Sequence, residues 1–149
     1  MTTIDLRSAT HDDWPAIAAL LVQQHLPLDG AADHLPGFVV ATREGVVVGV
    51  GGLELHGEAA LLRSLAVATH GQGLGSRLVS ALLEQARERR AAVVVLLTTT
   101  AAAYFPRFGF MPVTRKEVPH ALHASAEFQG ACPASATVMR LDLRREELT

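Results

Sequence analysis

The segment that most constrains the fold of this chain is 59–89, which reads AALLRSLAVATHGQGLGSRLVSALLEQARER. An apolar run typical of a strand leads into three glycines, Gly71, Gly73 and Gly75, and then into an amphipathic helix. A glycine-rich turn between a strand and a helix directs several backbone N–H groups toward one point, where the helix dipole favours negative charge. The segment therefore predicts a binding site for a pyrophosphate group.

The phosphate-binding motifs of two common protein classes do not fit this segment. A Walker loop requires a lysine after its last glycine, and the only lysine of the chain is Lys116. A Rossmann fingerprint requires GxGxxG and an acidic residue at the end of the second strand, whereas here the spacing is GxGxG and the next strand ends in three threonines, 98–100. Nucleoside triphosphate hydrolysis is therefore disfavoured, and dinucleotide binding is a minor alternative.

Composition agrees with a small soluble protein and favours neither a membrane nor a nucleic-acid partner. The chain of 149 residues is expected to form a single domain, 1–149. Its formal net charge of −2 gives no basic surface for nucleic acid. It contains neither a long apolar run nor a signal-peptide pattern, so we expect a cytoplasmic protein. The single cysteine, Cys132, excludes a disulfide framework and a multi-cysteine zinc site, and no metal is expected.

Hydrophobic periodicity predicts strands and helices in mixed order. Hairpin signals occur at 44–45 and 56–58, and leucines spaced by four residues mark one apolar face of the helix after the glycines. The predicted strands are 3–7, 38–43, 46–54, 59–67, 93–97 and 137–143, and the predicted helices are 14–26 and 73–89.

Three ordered motifs resemble those of the GCN5-related N-acetyltransferase (GNAT) superfamily. The glycine segment is similar to its pyrophosphate loop, [QR]xxGxG/A, with His70 in the place of Gln or Arg. The run 65–67 resembles the "LAV" at the end of the fourth strand, and 101–110 resembles A-x-x-x-Y-x-x-x-G-F. The resemblance implies an α/β (α+β) fold, with a mixed sheet of about six to seven strands splayed between strands four and five and helices on both faces.

The same resemblance implies that acetyl-CoA is the acetyl donor and that acetyl passes directly to an amine. A backbone N–H near 65–67 is the family's usual donor to the thioester carbonyl. The residues that the resemblance assigns to cofactor binding are Leu65, Ala66, Val67, His70, Gly71, Gln72, Gly73, Leu74, Gly75, Ser76, Thr98 and Phe105.

The sequence indicates the catalytic acid and base less directly than it indicates the cofactor-binding residues. The family's usual acid tyrosine falls on Phe105, and the single tyrosine, Tyr104, lies one residue earlier, about 100° away around a helix. Tyr104 is therefore either the acid or a packing residue. Glu54, with apolar neighbours near the end of a strand, is the favoured base, because a desolvated carboxyl has a raised pKa. His120 and His123 are the rival bases, and an exposed carboxylate is the alternative for Glu54.

Arg63 interrupts the apolar run 59–67, and strand alternation places it on one face with Leu61, Leu65 and Val67. A lone arginine in that position needs an anionic partner. We place a carboxylate-bearing substrate ahead of an internal salt bridge to Glu54 or Glu58.

The C-terminal segment 117–139 gives a second resemblance. Its pieces 117–119, Ser125-x-Glu127-Phe128 and 132–136 look like the signature of small acetyltransferases associated with arsenic-resistance operons, and the acetyltransferase domain of N-acetylglutamate synthase has similar features. Both relatives acetylate the amine of an amino acid or its mimic. The resemblance thus implies that the acceptor is a small-molecule amine. An arsenic- or phosphorus-containing analogue of glutamate is one acceptor of this kind. Cys132 is read as a packing residue.

Two other functions remain open on the sequence. A CoA-binding sensor without catalysis would explain Phe105 in the acid position. A protein-lysine acetyltransferase would need an acidic acceptor groove, which Arg63 opposes. The family also implies a homodimer.

Overall fold

The structure is a computed structural model that describes residues 3–69 and 73–143. Within these ranges the chain forms a seven-stranded sheet and two α-helices, joined by turns and short 3₁₀ segments. The strands are β1 (Ile4–Ser8), β2 (Phe38–Arg43), β3 (Val46–His56), β4 (Ala59–Val67), β5 (Val93–Thr98), β6 (Met111–Val113) and β7 (Thr137–Asp142), and the helices are α1 (Trp14–Gln23) and α2 (Leu74–Glu88).

The sheet is mixed, with strand order β1-β2-β3-β4-β5-β7-β6. Only β4 and β5 run parallel, because α2 crosses from the end of one to the start of the other. Their pairing covers Ala59–Leu61 against Val93–Val95 and extends no further in the described residues. The two strands separate beyond that point, which confirms the predicted splayed α/β fold.

The two faces of the sheet are covered by different parts of the chain. On β2, Val39 and Ala41 pack with α2, whereas Phe38 and Val40 pack with α1, as the two-residue period of a strand requires. The α1 face continues past β4 to β5 and β7, where Leu61 and Val95 pack against Val118 and Leu122 of the C-terminal segment. The segment between β6 and β7 therefore takes the place of a helix over that half of the sheet.

A β-bulge in β4 changes which side chains share a face. Gly52 pairs with Arg63 and Val50 with Ala66, so two residues of β4, Ser64 and Leu65, oppose one of β3. Ser64 adopts a left-handed φ of 58°. Arg63 and Leu61 share a face as predicted, but Leu65 and Val67 pack on the α2 side. The prediction that all four share one face is wrong because the bulge shifts the alternation.

Two other differences from the predicted elements have local causes. Helix α1 ends at Gln23 rather than at 26, because His25 takes a left-handed φ of 60° and Pro27 follows. The short strand β6 was not predicted, since three residues carry too little periodicity. The histidines at 120 and 123 lie in a 3₁₀ segment, His120–Ala124.

Candidate active site

One cavity of about 770 Å³ lies where β4 and β5 separate. It runs from the N-terminus of α2, along the unpaired edge of β4, to the residues that follow α1 and to the C-terminal segment. Of the predicted cofactor-binding, catalytic and substrate residues, those that line it are Arg63, Leu65, Ala66, Val67, Gly73, Leu74, Gly75, Ser76, Thr98, Tyr104 and Phe105. The predicted residues His70, Gly71 and Gln72 lie outside the described residues.

The first turn of α2 fits a phosphate group. Gly73 forms the N-cap with a left-handed φ of 70°, and no side chain of the described residues caps the helix there. The backbone N–H groups of the first turn are therefore available to an anion, which the helix dipole also favours. A Cβ on Gly75 would lie 3.3 Å from the Tyr104 hydroxyl, so a larger residue would narrow the cavity at this end.

The unpaired edge of β4 fits an extended ligand. Beyond Leu61 the described part of β5 offers this edge no backbone partner, and residues 62–67 all line the cavity. Unpaired backbone N–H and C=O groups of a strand bind another extended chain in the manner of a further strand. The pantetheine arm of CoA, with its two amides, has the chemistry to occupy this edge.

Tyr104 and Phe105 both line the cavity but point into different surroundings. The Tyr104 hydroxyl lies 3.0 Å from Ser76 Oγ in the first turn of α2, and Arg107 stacks over its ring. Phe105 is buried and packs edge-on against Phe110. The only tyrosine hydroxyl thus faces the phosphate end of the cavity.

Arg63 lies where the cavity meets the C-terminal segment, and its side chain is wholly buried. Its Nη1 donates to Glu54 Oε2 at 2.7 Å, its Nε to Ser64 Oγ at 3.0 Å, and its Nη2 to the Pro27 carbonyl at 3.3 Å. The structure therefore contains the internal salt bridge to Glu54 that was the second choice for this arginine.

Glu54 does not occupy the position predicted for a catalytic base. It is buried beneath Arg63 and is not among the described residues that line the cavity. Burial opposes its ionisation, but hydrogen bonds from His56 and Arg63 outweigh that effect, so the pKa of Glu54 lies below its usual value. The expectation of a base with a raised pKa is wrong here, because the residue is desolvated and also paired.

A carboxyl group with the properties expected of Glu54 is present at Glu127. It lines the cavity, is buried, and has Oε2 3.4 Å from Arg63 Nε. Burial raises the pKa of Glu127, and the charge of Glu54 adds to this, while Arg63 acts in the opposite direction. In the sequence, Glu127 stands out only as part of the C-terminal segment that resembles other small acetyltransferases. The fold brings it next to Arg63.

Cys132 and the two tail histidines complete the predicted candidates. Cys132 lines the cavity and hydrogen-bonds Glu127; burial raises the pKa of its thiol to about 12. It is a poor nucleophile in that state, since the thiolate is the reactive form. His120 and His123 are exposed and stack on each other, and neither is among the described residues lining the cavity.

Comparisons with known proteins agree with this geometry. The family model of the Acetyltransferase (GNAT) family matches residues 3–110. No curated protein matches the chain. Among the described residues no helix is long and apolar enough to cross a membrane.

Three solved structures illustrate the structural likeness. N-acetylglutamate synthase from Neisseria gonorrhoeae, complexed with coenzyme A and N-acetyl-glutamate, superposes with a TM-score of 0.81 at 22% identity; the match covers 96% of this chain and 36% of that one. Rv2747 from Mycobacterium tuberculosis, in complex with CoA and NLQ, gives 0.78 at 25% identity, covering 93% and 99% of the two chains. A GNAT family acetyltransferase from Brucella melitensis, in complex with acetyl-CoA, gives 0.61 at 24% identity, covering 73% and 83%.

The present chain thus spans about a third of the length of the N-acetylglutamate synthase chain and nearly all of Rv2747. Three observations indicate which family this chain belongs to. They are the separation of β4 and β5, the N-terminus of α2 without a side-chain cap among the described residues, and the family match over most of the sequence. The chain belongs to the GNAT family of acetyltransferases.

Proposed function

We propose that this enzyme acetylates the amine of a small, carboxylate-bearing acceptor, an amino acid or an amino-acid mimic. The observation that carries the proposal is the position of Arg63, a buried guanidinium at the end of the cavity. Two of the structural relatives support it, because their structures contain N-acetyl-glutamate and NLQ beside CoA.

Arg63 has the capacity to bind a further anion. A guanidinium carries five N–H groups, and the described residues accept hydrogen bonds from three of them. The remaining two belong to Nη1 and Nη2, one on each, and a carboxylate accepts from such a pair where both face it. Glu54 fixes the orientation of the guanidinium, because it accepts a hydrogen bond from Nη1.

Glu127 is the group that accepts the proton of the attacking amine. Glu127 lies beside Arg63 on the cavity wall. An acceptor whose carboxylate binds Arg63 therefore has its amine within reach of the Glu127 carboxyl. A carboxyl with a raised pKa is a better general base near neutral pH than an ordinary one. An enclosed acidic side chain beside a basic one suits a small zwitterion.

The rest of the cavity positions the reacting groups. Bound acetyl-CoA supplies the acetyl group as an activated thioester. The first turn of α2 binds its pyrophosphate, with Gly73, Leu74, Gly75 and Ser76 providing the backbone. The edge of β4 at Leu65, Ala66 and Val67 aligns the arm and polarises the acyl carbonyl through a backbone N–H. As the new C–N bond forms and the C–S bond breaks, CoA would leave as its thiolate, and Glu127 holds the proton lost by the amine.

Tyr104 acts at the cofactor end of the cavity. Its hydroxyl is paired with Ser76, and both residues adjoin the turn that binds phosphate. We assign it to positioning of the cofactor, and Thr98 and Phe105 also line the cavity.

The test is a thiol-release assay with acetyl-CoA and a panel of amines. The panel contains L-glutamate, L-aspartate, L-methionine, phosphorus and arsenic analogues of glutamate, and a lysine peptide. Turnover with at least one amino acid or analogue, and none with the peptide, is the expected result. The matched control for Arg63 is the α-carboxamide of the best acceptor, which should lose at least tenfold in kcat/KM. Equal turnover of the acid and its amide would overturn the carboxylate proposal.

A further inference from the structure

A second polar cluster lies outside the cavity, on the face of β3 away from α2. Glu54 and His56 are two residues apart on this strand and so share one face. His34 comes from a 3₁₀ segment, Ala32–Gly37, which packs against β3 before the chain enters β2. The ring centroids of the two histidines lie 5.6 Å apart. None of the three is among the described residues that line the acetyl-transfer cavity.

The three ligand atoms already approach the geometry of a metal site. Glu54 Oε1 lies 2.9 Å from His56 Nε2 and 3.5 Å from His34 Nε2. In a tetrahedral zinc site with bonds of about 2.0–2.1 Å, neighbouring ligand atoms lie about 3.3 Å apart. The two distances are on either side of that value, and all three atoms lie within 4.8 Å of one another. A small rotation of the imidazoles brings them to one ion.

The residues around Glu54 orient its carboxylate for binding a metal ion. Its other oxygen, Oε2, accepts the hydrogen bond from Arg63, so Oε1 is left facing the two histidines. A ligating carboxylate that is fixed by an outer hydrogen bond is a general feature of metal sites in proteins. The histidine side chains are 30% and 18% exposed, so an ion can enter from solvent, and water can complete its coordination.

We infer that His34, Glu54 and His56 form a binding site for a divalent transition-metal ion of the zinc type. Two imidazole nitrogens and one carboxylate oxygen are ligands that zinc prefers, and hard ions such as Mg²⁺ favour all-oxygen sites instead. Bound there, the ion ties the 3₁₀ segment that precedes β2 to the end of β3. Its role is structural, since none of the three ligands lines the cavity in which acetyl is transferred, and the site contacts that cavity through the hydrogen bond from Arg63 to Glu54.

The experiment uses the full chain, free of any histidine tag and treated with a chelator. Titration with Co²⁺ at pH 7.5 is followed by visible absorption, and Zn²⁺ is then used to displace it. We expect one Co²⁺ per chain, with the d–d bands of a low-coordinate site, and a rise in Tm on addition of Zn²⁺. CoA is absent throughout, so failure of this site and failure of the proposed acceptor chemistry are independent results.

Two variants and a matched control identify the ligands. His34→Gln and His56→Gln should each weaken Co²⁺ binding at least tenfold and abolish the Zn²⁺-dependent rise in Tm. His120→Gln, at an exposed histidine of the tail, should leave both unchanged. Both ligand positions are partly exposed, so the variants are expected to fold, and their unchanged Tm without metal checks this. Absence of stoichiometric Co²⁺ binding, or binding that survives in the His34→Gln/His56→Gln double variant, would overturn the inference.

Discussion

Arg63 Nη1 and Glu54 Oε2 lie 2.7 Å apart, and the two side chains are 0% and 1% exposed. A buried guanidinium and a buried carboxylate compensate each other's charge only as long as both are present. Removing one partner leaves the other charge desolvated, which typically costs about 3–5 kcal/mol. The pair connects β3 and β4 at the point where the cavity begins.

Glu54→Gln should therefore destabilise the protein by about 3 kcal/mol, near the lower end of that range because Glu127 still compensates Arg63 in part. Denaturant unfolding at neutral pH with a chelator present measures this free energy. Glu84→Gln, on the exposed face of α2, is the control and should change stability by no more than about 0.5 kcal/mol. Equal stability of the two variants would show that the loss of Glu54 leaves no costly uncompensated charge on Arg63.

Glu127→Gln should lower kcat by about 10²–10⁴, the range for loss of a general base, and leave KM for acetyl-CoA unchanged. Because the pKa of Glu127 is raised, wild-type activity should decline as the pH falls through it, and the variant should lose this acidic limb. Steady-state kinetics measures the decrease in kcat and the KM for acetyl-CoA, and a pH profile of kcat/KM shows whether the acidic limb is lost. Wild-type kcat in the variant would exclude Glu127 as the base.

The same variant should raise stability above the pKa of Glu127. A carboxyl whose pKa is higher in the folded state favours folding in its protonated form, and this contribution is lost as the pH rises through the folded pKa. Glutamine retains the neutral state at all pH values. Thermal unfolding at neutral pH should thus give a higher Tm for the variant, opposite in sign to the effect of Glu54→Gln.

Tyr104→Phe should raise KM for acetyl-CoA several-fold and change kcat by less than about tenfold, because its hydroxyl is paired with Ser76 at the start of α2. Loss of a catalytic acid would give the opposite result, a decrease in kcat of about 10²–10⁴ with KM unchanged. Steady-state kinetics with acetyl-CoA as the varied substrate distinguishes the two. Ser76→Ala is the matched control and should reproduce the KM effect.

The elements around the cofactor cavity could be predicted because they depend on local patterns, whereas the splay of the sheet was implied only by the resemblance to the GNAT superfamily. Strand β4 has the predicted bounds, and α2 differs from the prediction by one residue at each end. Apolar alternation, the glycines and the leucine periodicity all occur within this stretch. Local sequence and global fold therefore agree, as they do in most well-packed elements.

The acceptor end could not be predicted because it depends on contacts between distant residues. Glu127 reaches Arg63 from 64 positions further along the chain, through a segment of short 3₁₀ turns with little periodicity. The bulge at Ser64 requires a left-handed φ in a residue that has no strong preference for it. Both features decide which carboxyl faces the cavity, and neither has a recognisable local pattern.

Gly52→Ala tests the packing of β3 against β2. A Cβ at this position would overlap the ring of Phe38, which is fully buried. Overpacking of this kind typically costs about 1–3 kcal/mol, which denaturant unfolding measures. Phe38→Leu should relieve the overlap, so the double variant should be less destabilised than the sum of the two single variants. Strict additivity would contradict this explanation.

Asp13→Asn tests the entry to α1 and its dependence on pH. Asp13 binds Arg7 through both oxygens, at 2.7 and 2.8 Å, and also accepts the Thr10 N–H at 2.8 Å. The hydrogen bond to Arg7, ahead of the bond to Thr10, holds the pKa of Asp13 far below its usual value. Since Arg7 is 46% exposed, solvent screens the pair, and the expected loss is about 1–2 kcal/mol.

The sign of the pH effect follows from the lowered pKa. The ionised form favours folding, so its contribution is complete above the unfolded pKa of about 3.9 and shrinks as the pH falls toward the folded value. The difference in stability between wild type and Asp13→Asn should therefore be constant from pH 5 to pH 7 and decrease below about pH 4. Urea unfolding across this range measures it, and Asp12→Asn, at the exposed neighbouring position, is the control. A difference that stays constant down to the acid limit would mean that packing, rather than the charge of Asp13, stabilises this turn.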